Sequence, residues 1–436
     1  KNACVVVLGD IGRSPRMQYH IKSLDEHNFN IDVIGYVETS PIEAISNKPN
    51  IKIHKLIPFP NIILPSVLKY LFKTVWQTFS LMKALISSRR SELLMVQNPP
   101  AIPTFFVCYL YCFLMHTKFI IDWHNYAHTI LALSTSPGSF LVRLALWIEK
   151  YFGSKADANF CVTNAMKEDL EKKWGIKATV LYDRPPEQFH PINLKEKHEF
   201  YMKLSRKYDA FANDSYESKD IIESSVFTVK SNDFKVEYKM KRPGLLVSST
   251  SWTPDEDFNV LLKALEDYES NAQTSNDYPD LLCVITGKGP QKDEYVEKVS
   301  KLPLKHVTII TPWLECEDYP TLLASADLGV CLHWSSSGLD LPMKVVDMFG
   351  SGLPVCAVNF KCLDELVKDD ENGYVFDDSK QLAELLKNWF RCFPTNSDVN
   401  KTRLKFSENL KEFQTLRWAE NWEKVVMPVL NQFYAI

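Results

Sequence analysis

The stretch Ala3-Cys-Val-Val-Val-Leu8, followed by Gly9, decides the fold that we expect for the first half of the chain. A continuous apolar run that ends in glycine is typical of a parallel strand buried on both faces and followed by a tight loop. Gly244-Leu-Leu-Val-Ser248 repeats this feature in the second half. Outward from each run, short apolar segments alternate with longer helical ones. The alternation predicts an α/β protein with two Rossmann-like, doubly wound parallel sheets.

The length of the chain supports two domains. A chain of 436 residues exceeds what one hydrophobic core usually supports, and 45% of its residues are apolar. We predict an N-terminal domain at residues 1–184, a C-terminal domain at 242–414, and a terminal helix at 415–436 that could pack back on the N-terminal domain. Residues 185–241 are polar and show no convincing strand period, which indicates a connecting insertion.

The overall charge and the cysteine pattern exclude some classes of protein. Lys and Arg number 50 and Asp and Glu 54, a formal net charge of −4, so nothing global favours nucleic acid as a partner. The ten cysteines are scattered, with no Cys-x-x-Cys pair and no compact disulfide framework. We therefore expect a reducing, cytosol-facing compartment and only local phosphate binding.

A glycine-containing turn before a helix in the second half is the strongest candidate for phosphate binding. Ser335-Ser-Ser-Gly-Leu-Asp340 follows a predicted strand, and Pro342 marks the start of the next helix. The positive end of that helix could bind a diphosphate, and Asp347 could accept hydrogen bonds from ribose hydroxyls. An ordinary helix cap with a solvated Asp347 is the alternative. The predicted phosphate donors are the backbone amides of Ser336, Ser337, Gly338 and Leu339.

Two further loops at predicted strand ends add candidate contacts to a donor. Gly287-Lys-Gly289 places two glycines and the cation Lys288 after one strand, although the same sequence could be an ordinary turn. Trp313 and Leu314 follow the next strand, where main-chain groups could contact the edge of a nucleotide base. Trp313 could equally be a packing residue.

The first loop of the N-terminal half combines glycines, cations and an acid. Gly9-Asp-Ile-Gly-Arg-Ser-Pro-Arg16 follows the first strand. Gly12 permits a backbone close to a ligand, and Arg13 and Arg16 offer charge to the phosphate oxygens of an acceptor. Asp10 lies at the carboxyl end of the strand, where it could act as a catalytic base. As the alternative, Asp10 caps the following helix.

Two more segments belong to the same predicted rim. Asp122-Trp-His-Asn-Tyr126 follows another strand, and a histidine at such a strand end is more often functional than one in a core. His124 is therefore a second candidate for the base. Gln97-Asn-Pro-Pro100 forms a stiff loop, although its prolines could simply end a strand. We include Asn98 and Asn125 among the predicted acceptor contacts.

Two apolar segments bear on membrane association. Residues 57–86 mix aromatic and aliphatic side chains with Lys69, Lys73 and Lys83, a composition typical of a helix on a membrane surface. An ordinary amphipathic helix packed on the N-terminal sheet fits the same pattern. Residues 101–115 are uncharged and mostly apolar but shorter than the roughly 20 residues that span a bilayer, so we predict a buried or interfacial helix.

Eight segments, in this order, resemble the chitobiosyldiphosphodolichol β-mannosyltransferase family, which adds the first mannose to the lipid-linked N-glycan precursor. The segments are Gly9-Asp-Ile-Gly-Arg-Ser-Pro-Arg-Met-Gln-Tyr-His20, Gln97-Asn-Pro-Pro100, Asp122-Trp-His-Asn-Tyr126, Cys161-Val-Thr-Asn-Ala-Met166, Ser248-Ser-Thr-Ser-Trp252, Asp255-Glu-Asp-Phe258, Val284-Ile-Thr-Gly-Lys-Gly-Pro290 and residues 336–350. The resemblance covers nearly the whole chain. It implies a GT-B fold, in which two Rossmann-like domains face each other across a cleft.

The resemblance also implies GDP-mannose as donor, dolichyl-diphosphate chitobiose as acceptor, and no tightly bound cofactor. Because an α-linked donor gives a β-linked product, one displacement with inversion is the economical mechanism. We assign Asp10 as base, with His124 as the alternative. Lys288 or Lys344 would supply positive charge to the leaving diphosphate in place of a metal ion, and a requirement for a divalent ion stays open.

Two departures from related GT-B sequences affect the expected site. Residues 248–257 lack the Arg and Lys that many relatives carry after the first strand of the C-terminal domain. Of the two acids expected beside the donor, Asp340 is displaced by one position and Asp347 matches better. Family members carry an N-terminal membrane anchor that this sequence does not include, so attachment is expected to rest on residues 57–115. The implied location is the cytosolic face of the endoplasmic reticulum membrane, with other mannosyltransferases of the pathway as candidate partners.

Overall fold

The structure, a computed structural model, describes residues 1–62, 65–213, 220–253, 256–315 and 317–434. Its contacts divide the chain into two compact units. Unit 1 consists of Lys1–Asp183 with Trp418–Ile436, and unit 2 of Arg184–Arg417. The boundary after Asp183 lies one residue before the predicted boundary at 184. The boundary after Arg417 lies three residues after the predicted boundary at 414.

Unit 1 contains a seven-stranded parallel sheet with the order β3-β2-β1-β4-β5-β6-β7. Its strands are β1 (Asn2–Asp10), β2 (Asn30–Tyr36), β3 (Ile51–Lys55), β4 (Leu93–Asn98), β5 (Lys118–Trp123), β6 (Ala158–Cys161) and β7 (Thr179–Val180). Residues 3–7 of β1 are fully buried because helices cover both faces of the sheet. The strand order reverses between β1 and β4, and this is where such sheets bind ligands.

The helices of unit 1 connect these strands. They are α1 (Pro15–Glu26), α2 (Glu43–Ser46), α3 (Ser66–Ser87), α4 (Thr104–Met115), α5 (Ala127–Ser134), α6 (Phe140–Gly153) and α7 (Asn164–Trp174). Pro15 starts α1 at a position where its missing N–H costs nothing, and Gly175 ends α7 in the left-handed region with φ of 67°. Within the part of the chain that the structure describes, no helix is both long and apolar enough to cross a bilayer.

The described residues within 185–241 include a helix and three strands, where the sequence showed no convincing strand period. Helix α8 (Leu194–Ser205) begins with a capping box formed by Asn193 and Glu196. A small antiparallel sheet follows, with strands β8 (Ile221–Ser224), β9 (Thr228–Ser231) and β10 (Val236–Tyr238). The period of such short strands is too brief to be recognised in a polar sequence.

The main sheet of unit 2 is six-stranded and parallel, with the order β13-β12-β11-β14-β15-β16. Its strands are β11 (Gly244–Ser249), β12 (Leu281–Thr286), β13 (Val307–Ile310), β14 (Leu328–Cys331), β15 (Val355–Val358) and β16 (Gly373–Phe376). Its helices are α9 (Phe258–Ala272), α10 (Lys292–Ser300), α11 (Asp318–Ser325), α12 (Met343–Gly350), α13 (Ser379–Phe390) and α14 (Ser397–Thr415). The prediction of two doubly wound parallel sheets is confirmed.

The last helix, α15 (Trp418–Gln432), belongs to unit 1. It packs on α1, where the Trp418 indole N–H donates to Ser23 Oγ over 3.1 Å. Asn421 Nδ2 donates to the Tyr182 carbonyl over 3.1 Å. Trp418, Trp422, Val426 and Leu430 are buried in the same apolar cluster as β1 and β2. The chain therefore completes the first unit with residues from its far end.

Candidate active site

The turn between β14 and α12 is organised around the buried hydroxyl of Ser335. The amides of Gly338 and Leu339 donate to Ser335 Oγ over 2.9 and 3.3 Å, and this hydroxyl donates to the Asp340 carboxylate. Gly338 adopts a φ of 70°, which favours glycine. Two of the four amides predicted to bind phosphate thus already donate within the turn, and a bound diphosphate would have to displace or share these hydrogen bonds.

Asp340 is held by the turn on two sides. In addition to Ser335, His333 Nε2 lies 3.3 Å from Asp340 Oδ2. These contacts explain why the acid sits one position away from the expected place: its side chain closes the turn. A contact between Asp340 and the donor stays a prediction.

Lys344 lies in the first turn of α12 and pairs with Glu256. The Glu256 side chain is buried, and it also accepts hydrogen bonds from the Thr250 hydroxyl and, over 2.9 Å, from the Ser251 amide. The pair therefore joins the start of α12 to the loop after β11, on the two sides of the point where the strand order reverses. Because the Glu256 carboxylate partly neutralises Lys344, the pair would offer a phosphate group less positive charge than an unpaired lysine.

The glycine loop after β12 packs against the same β11 loop. A Cβ atom on Gly287 would lie 1.8 Å from the Thr250 carbonyl oxygen, and one on Gly289 would lie 1.7 Å from that of Ser251. Gly287 also has a φ of 122°. Both positions therefore require glycine for a close approach of two backbones.

Lys288, between these glycines, lies on the exposed face of Trp313. Its Nζ is 3.7 Å from the ring centroid, a cation–π contact. The Tyr208 hydroxyl donates to the Trp313 carbonyl over 2.8 Å, which anchors the segment that includes Leu314. The structure thus brings Lys288 and Trp313 together, and a contact of Leu314 with a base stays a prediction.

Asp347 has an electrostatic neighbour that the sequence did not indicate. Burial raises the pKa of Tyr319, and the charge of Asp347 raises it further. The Tyr319 hydroxyl lies 2.8 Å from Ser249 Oγ, which also accepts from Thr286 Oγ1 over 3.2 Å. A row of hydroxyls thus extends from the ends of β11 and β12 towards Asp347, in keeping with a surface that binds polyols.

In unit 1, the carboxylate of Asp122 near the end of β5 is fully buried and accepts hydrogen bonds from three side chains. Arg16 binds it with Nε at 2.8 Å and Nη2 at 2.9 Å. His20 Nε2 lies at 3.1 Å and His124 Nε2 at 2.7 Å. Burial alone would raise the pKa of Asp122, but the charge of Arg16 and the contacts with the two histidines lower it well below the usual range. Asp122 is therefore an anion that orients His124.

The geometry fixes the tautomer of His124. A carboxylate can only accept, so Nε2 carries the proton and the neutral ring has its lone pair on Nδ1. The His124 amide donates to the Asn98 carbonyl over 2.9 Å, and the side chain keeps 21% exposure. A buried aspartate holding a part-exposed histidine is the arrangement of a general base.

Arg16 does not agree with its predicted role as a phosphate contact. Its side chain is 2% exposed, and Nη1 donates to the Leu181 carbonyl at 2.8 Å and to Asp183 at 2.7 Å in addition to the Asp122 pair. These bonds occupy the guanidinium inside the unit. Arg16 is a core residue that positions Asp122.

Asp10 is engaged by its own loop. Its carboxylate accepts from the amides of Glu38 at 3.1 Å and Thr39 at 3.1 and 3.2 Å. Partial burial would raise the pKa of Asp10, but the hydrogen bonds from Thr39, Glu38 and Gly12 lower it overall. A carboxylate with a lowered pKa and occupied lone pairs is a weak base. The geometry therefore favours His124 over Asp10.

The remaining predicted acceptor contacts divide into exposed and buried groups. Arg13 is exposed and lies 3.6 Å from Asp10, so it is available to a ligand. A Cβ atom on Gly12 would lie 2.4 Å from the Thr39 carbonyl oxygen, which explains this glycine by packing. Asn98 is fully buried and donates to Glu149 Oε1 at 2.7 Å and to the Asn125 carbonyl at 2.9 Å. Asn98 thus shapes the loop that presents Asn125, instead of facing a ligand itself.

Among the described residues there is no group of three or more His, Cys, Asp or Glu side chains that could hold a metal ion. The cations that the structure describes near the predicted donor site include Lys288 and Lys344, and Lys361 packs beside Gly338.

Comparisons with known proteins identify the family. The family described as "Glycosyltransferase Family 4" matches residues 17–182, and "Glycosyl transferases group 1" matches residues 229–413. A protein of Mus musculus named chitobiosyldiphosphodolichol beta-mannosyltransferase is 46% identical over 432 residues, covering 99% of this chain and 89% of the mouse protein. The chain belongs to the chitobiosyldiphosphodolichol β-mannosyltransferase family. It is therefore a glycosyltransferase, as the resemblance implied.

One relative of this β-mannosyltransferase family member carries a different name. An Arabidopsis thaliana protein named UDP-glycosyltransferase TURAN is 43% identical over 458 residues, covering 99% of this chain and 97% of that protein. The solved structure of sucrose-phosphate synthase from Thermosynechococcus elongatus has a TM-score of 0.65 at 13% identity, covering 100% and 98% of the two chains. The structural likeness shows the GT-B fold, with two parallel-sheet Rossmann-like domains.

Four residues of the site in this β-mannosyltransferase family member were not predicted from the sequence. They are Asp122, His20, Glu256 and Tyr319. Asp122, His20 and Glu256 lie inside three of the family segments, so their position was a usable signal. Tyr319 lies outside those segments and acts through contacts with distant parts of the chain, which the sequence does not reveal.

Proposed function

We propose that this protein transfers mannose from GDP-mannose to the chitobiose of dolichyl-diphosphate chitobiose, forming a β-1,4 linkage in the first mannosylation of the lipid-linked N-glycan precursor. The observation that carries the proposal is the 46% identity to the mouse protein over 99% of this chain. The buried Asp122 that orients His124 supports a hydroxyl acceptor, because such a hydroxyl needs a base.

In the proposed reaction His124 takes the proton of the acceptor hydroxyl on Nδ1. The hydroxyl oxygen attacks the anomeric carbon of mannose while the bond from that carbon to the diphosphate oxygen breaks, and GDP leaves with the bonding electrons. One displacement converts the α-linked donor into a β-linked product. Asp122 stabilises the imidazolium that forms, since its carboxylate is already ionised and 2.7 Å away.

Unit 2 would hold the donor. Asp347, beside the hydroxyls of Tyr319 and Ser249, suits the ribose, and the start of α12 suits the diphosphate. Lys344 and Lys288 supply positive charge to the leaving group. Both lysines are held by partners, Lys344 by Glu256 and Lys288 by Trp313, so their positions are set before the donor binds.

The name of the Arabidopsis relative favours a second candidate, a transferase that uses a UDP-sugar. The decisive experiment offers the full chain GDP-mannose, UDP-glucose or UDP-GlcNAc with a short-tailed chitobiosyl diphosphate lipid, with and without EDTA. Product that is formed from GDP-mannose alone and is cleaved by a β-mannosidase supports the proposal. Turnover with a UDP-sugar alone would exclude it, and the EDTA arm decides the metal requirement.

We also propose that unit 1 binds the cytosolic surface of the endoplasmic reticulum membrane through helices α3 to α6. Helix α3 contacts α4, α4 contacts α6, and α6 contacts α5. Large aromatic side chains are exposed along this row. Together with Lys69 and Lys73 of α3, they form what we call the apolar-basic face. Its aromatic members are Phe72, Phe79, Phe106, Phe113, Phe140 and Trp147. Exposed apolar patches of this extent mark protein or membrane interaction sites.

The charge pattern favours a lipid surface over a protein partner. Between residues 56 and 156 the acidic residues are Glu92, Asp122 and Glu149, and the last two are fully buried. The basic residues of this stretch include Lys69 and Lys73 of α3, close in sequence to the exposed aromatic rings. Aromatic side chains mixed with cations, with Glu92 as the one exposed acid between residues 56 and 156, suit an anionic lipid surface.

A further inference from the structure

A buried hydrogen-bond chain leads from the last helix to the candidate base. The Trp422 indole N–H donates to His20 Nδ1 over 2.9 Å, and His20 Nε2 lies 3.1 Å from Asp122 Oδ2. The same Asp122 oxygen is 2.7 Å from His124 Nε2. Trp422, His20 and Asp122 are all fully buried. The chain joins residues 402 positions apart within unit 1.

The donor and acceptor roles along this chain are determined by chemistry. An indole nitrogen can only donate, so His20 Nδ1 must be unprotonated and accept. His20 Nε2 then carries the single ring proton and donates to Asp122. His20 is therefore neutral, and Trp422 excludes the cationic form as long as its hydrogen bond is intact.

A neutral His20 changes the charge balance around His124. The charged groups of the cluster are the guanidinium of Arg16 and the carboxylates of Asp122 and Asp183. Two carboxylates against one guanidinium leave one negative charge in excess. If His20 were cationic, that excess would vanish and an imidazolium on His124 would be less favourable.

We propose that Trp422 is a positioning residue for His124. Its hydrogen bond keeps His20 neutral and protonated at Nε2. The excess negative charge of the cluster can then stabilise the imidazolium that His124 forms during transfer. The inference rests on His124 being the base of the proposed function. It gives the C-terminal helix a part in acceptor activation.

The groups that face His20 come from its own helix, from β5 with the loop after it, and from α15. Arg16 lies on its own helix, Asp122 and His124 come from β5 and the loop after it, and Trp418 and Trp422 come from α15. Burial lowers the pKa of His20, while Asp122 raises it, with a net lowering. The Cys161 thiol near this cluster has its pKa raised to about 12 by burial and stays neutral.

The chain offers a matched control on the same helix. Trp418 is also buried in unit 1, but its N–H donates to Ser23 instead of a histidine. We expect Trp422→Phe to lower kcat by about tenfold, the effect of one buried hydrogen bond, and to add an ionisation to the acid limb of the kcat–pH profile as His20 becomes protonated. Trp418→Phe should leave the shape of the profile unchanged. Identical profiles for the two variants would overturn the proposal.

A rescue variant and a spectrum complete the test. A glutamine side chain can donate to Asp122 but cannot become charged, so His20→Gln in the Trp422→Phe background should remove the added ionisation. Long-range proton–nitrogen spectra of the unsubstituted, 15N-histidine-labelled protein should show His20 neutral and protonated at Nε2 at pH 7. A cationic ring or the other tautomer rejects the inference even if Trp422→Phe does not fold.

Failure of the inference and failure of the proposed function are distinguishable. If His124→Gln leaves turnover intact, His124 is not the base, whatever the tautomer of His20. If His124→Gln abolishes turnover while Trp422→Phe behaves like Trp418→Phe, the base is right and the role of Trp422 is wrong.

Discussion

His124 Nε2 donates to the buried carboxylate of Asp122 over 2.7 Å, which leaves Nδ1 as the basic atom of the ring. We expect His124→Gln to lower kcat by about 100- to 10,000-fold, the usual contribution of a general base. Affinity for GDP should stay unchanged, because the residue lies in unit 1 and the donor is assigned to unit 2. Steady-state kinetics and calorimetric titration of GDP check the two parts.

Asp10→Asn is the matched comparison at the carboxyl end of another strand of the same sheet, β1. The Asp10 carboxylate accepts hydrogen bonds from the amides of Glu38 and Thr39. Asp10→Asn should therefore weaken the packing of this loop and leave most of kcat in place. A loss of kcat with Asp10→Asn as large as that with His124→Gln would restore Asp10 as the base.

Gly289→Ala tests the close approach of the two loops in unit 2. The new Cβ would lie 1.7 Å from the Ser251 carbonyl oxygen, so one of the two backbones must move. We expect GDP affinity to fall about tenfold or more, since a shift of that size costs more than about 1.4 kcal/mol. Gly138→Ala is the control, because a Cβ there has nothing within 4 Å. Equal GDP affinity in both variants would show that the loop does not bind the donor.

Lys344→Met should reduce both stability and donor affinity. It leaves the buried Glu256 carboxylate without its cation, a loss of about 3–5 kcal/mol in the free energy of unfolding. Lys298→Met breaks an exposed pair with Glu294, which water screens, so its effect on the free energy of unfolding should be small. Urea titration measures both variants. Similar losses would mean that the Lys344–Glu256 pair is no stronger than a surface pair.

Acidification should destabilise the protein through His20. Burial lowers the pKa of His20 in the folded state, whereas an unfolded histidine titrates near about 6.5. Below that pH the unfolded chain takes up a proton that the folded chain excludes, so the free energy of unfolding falls by up to about 1.4 kcal/mol per pH unit. His20→Gln should flatten this slope more than His190→Gln, which replaces an exposed histidine. Urea titrations between pH 7 and pH 5 decide between the two outcomes.

The parallel sheets were predictable because each buried strand is encoded locally. The run at residues 3–8 and its counterpart at 244–248 need only neighbouring residues to be recognised. The loops after these strands were predictable for the same reason, since a doubly wound sheet binds its ligands there.

The roles of individual side chains depend on long-range contacts and could not be predicted. Arg16 lies in a loop sequence that is typical of phosphate binding. Its partners Asp122 and Asp183, however, are 106 and 167 residues away and hold it in the core. Glu256 is 88 residues from Lys344. Nothing local distinguishes such residues from solvated charges, because the distinction is made by burial.

The apolar-basic face can be tested with exposed residues of one helix. Phe72 and Phe79 lie on α3, and Phe79 is 71% exposed, so a Phe72→Glu/Phe79→Glu variant should fold normally. We expect it to bind vesicles of phosphatidylcholine and phosphatidylserine at least about 100-fold more weakly, because each of the two rings contributes about 1.5–3 kcal/mol when buried. Met240→Glu/Leu404→Glu adds the same charge at residues of unit 2 that are 75% and 68% exposed. Equal sedimentation of the two variants with vesicles would show that α3 is not the membrane contact. Loss of binding confined to the α3 variant, with turnover of a short-tailed acceptor retained, would separate membrane attachment from catalysis.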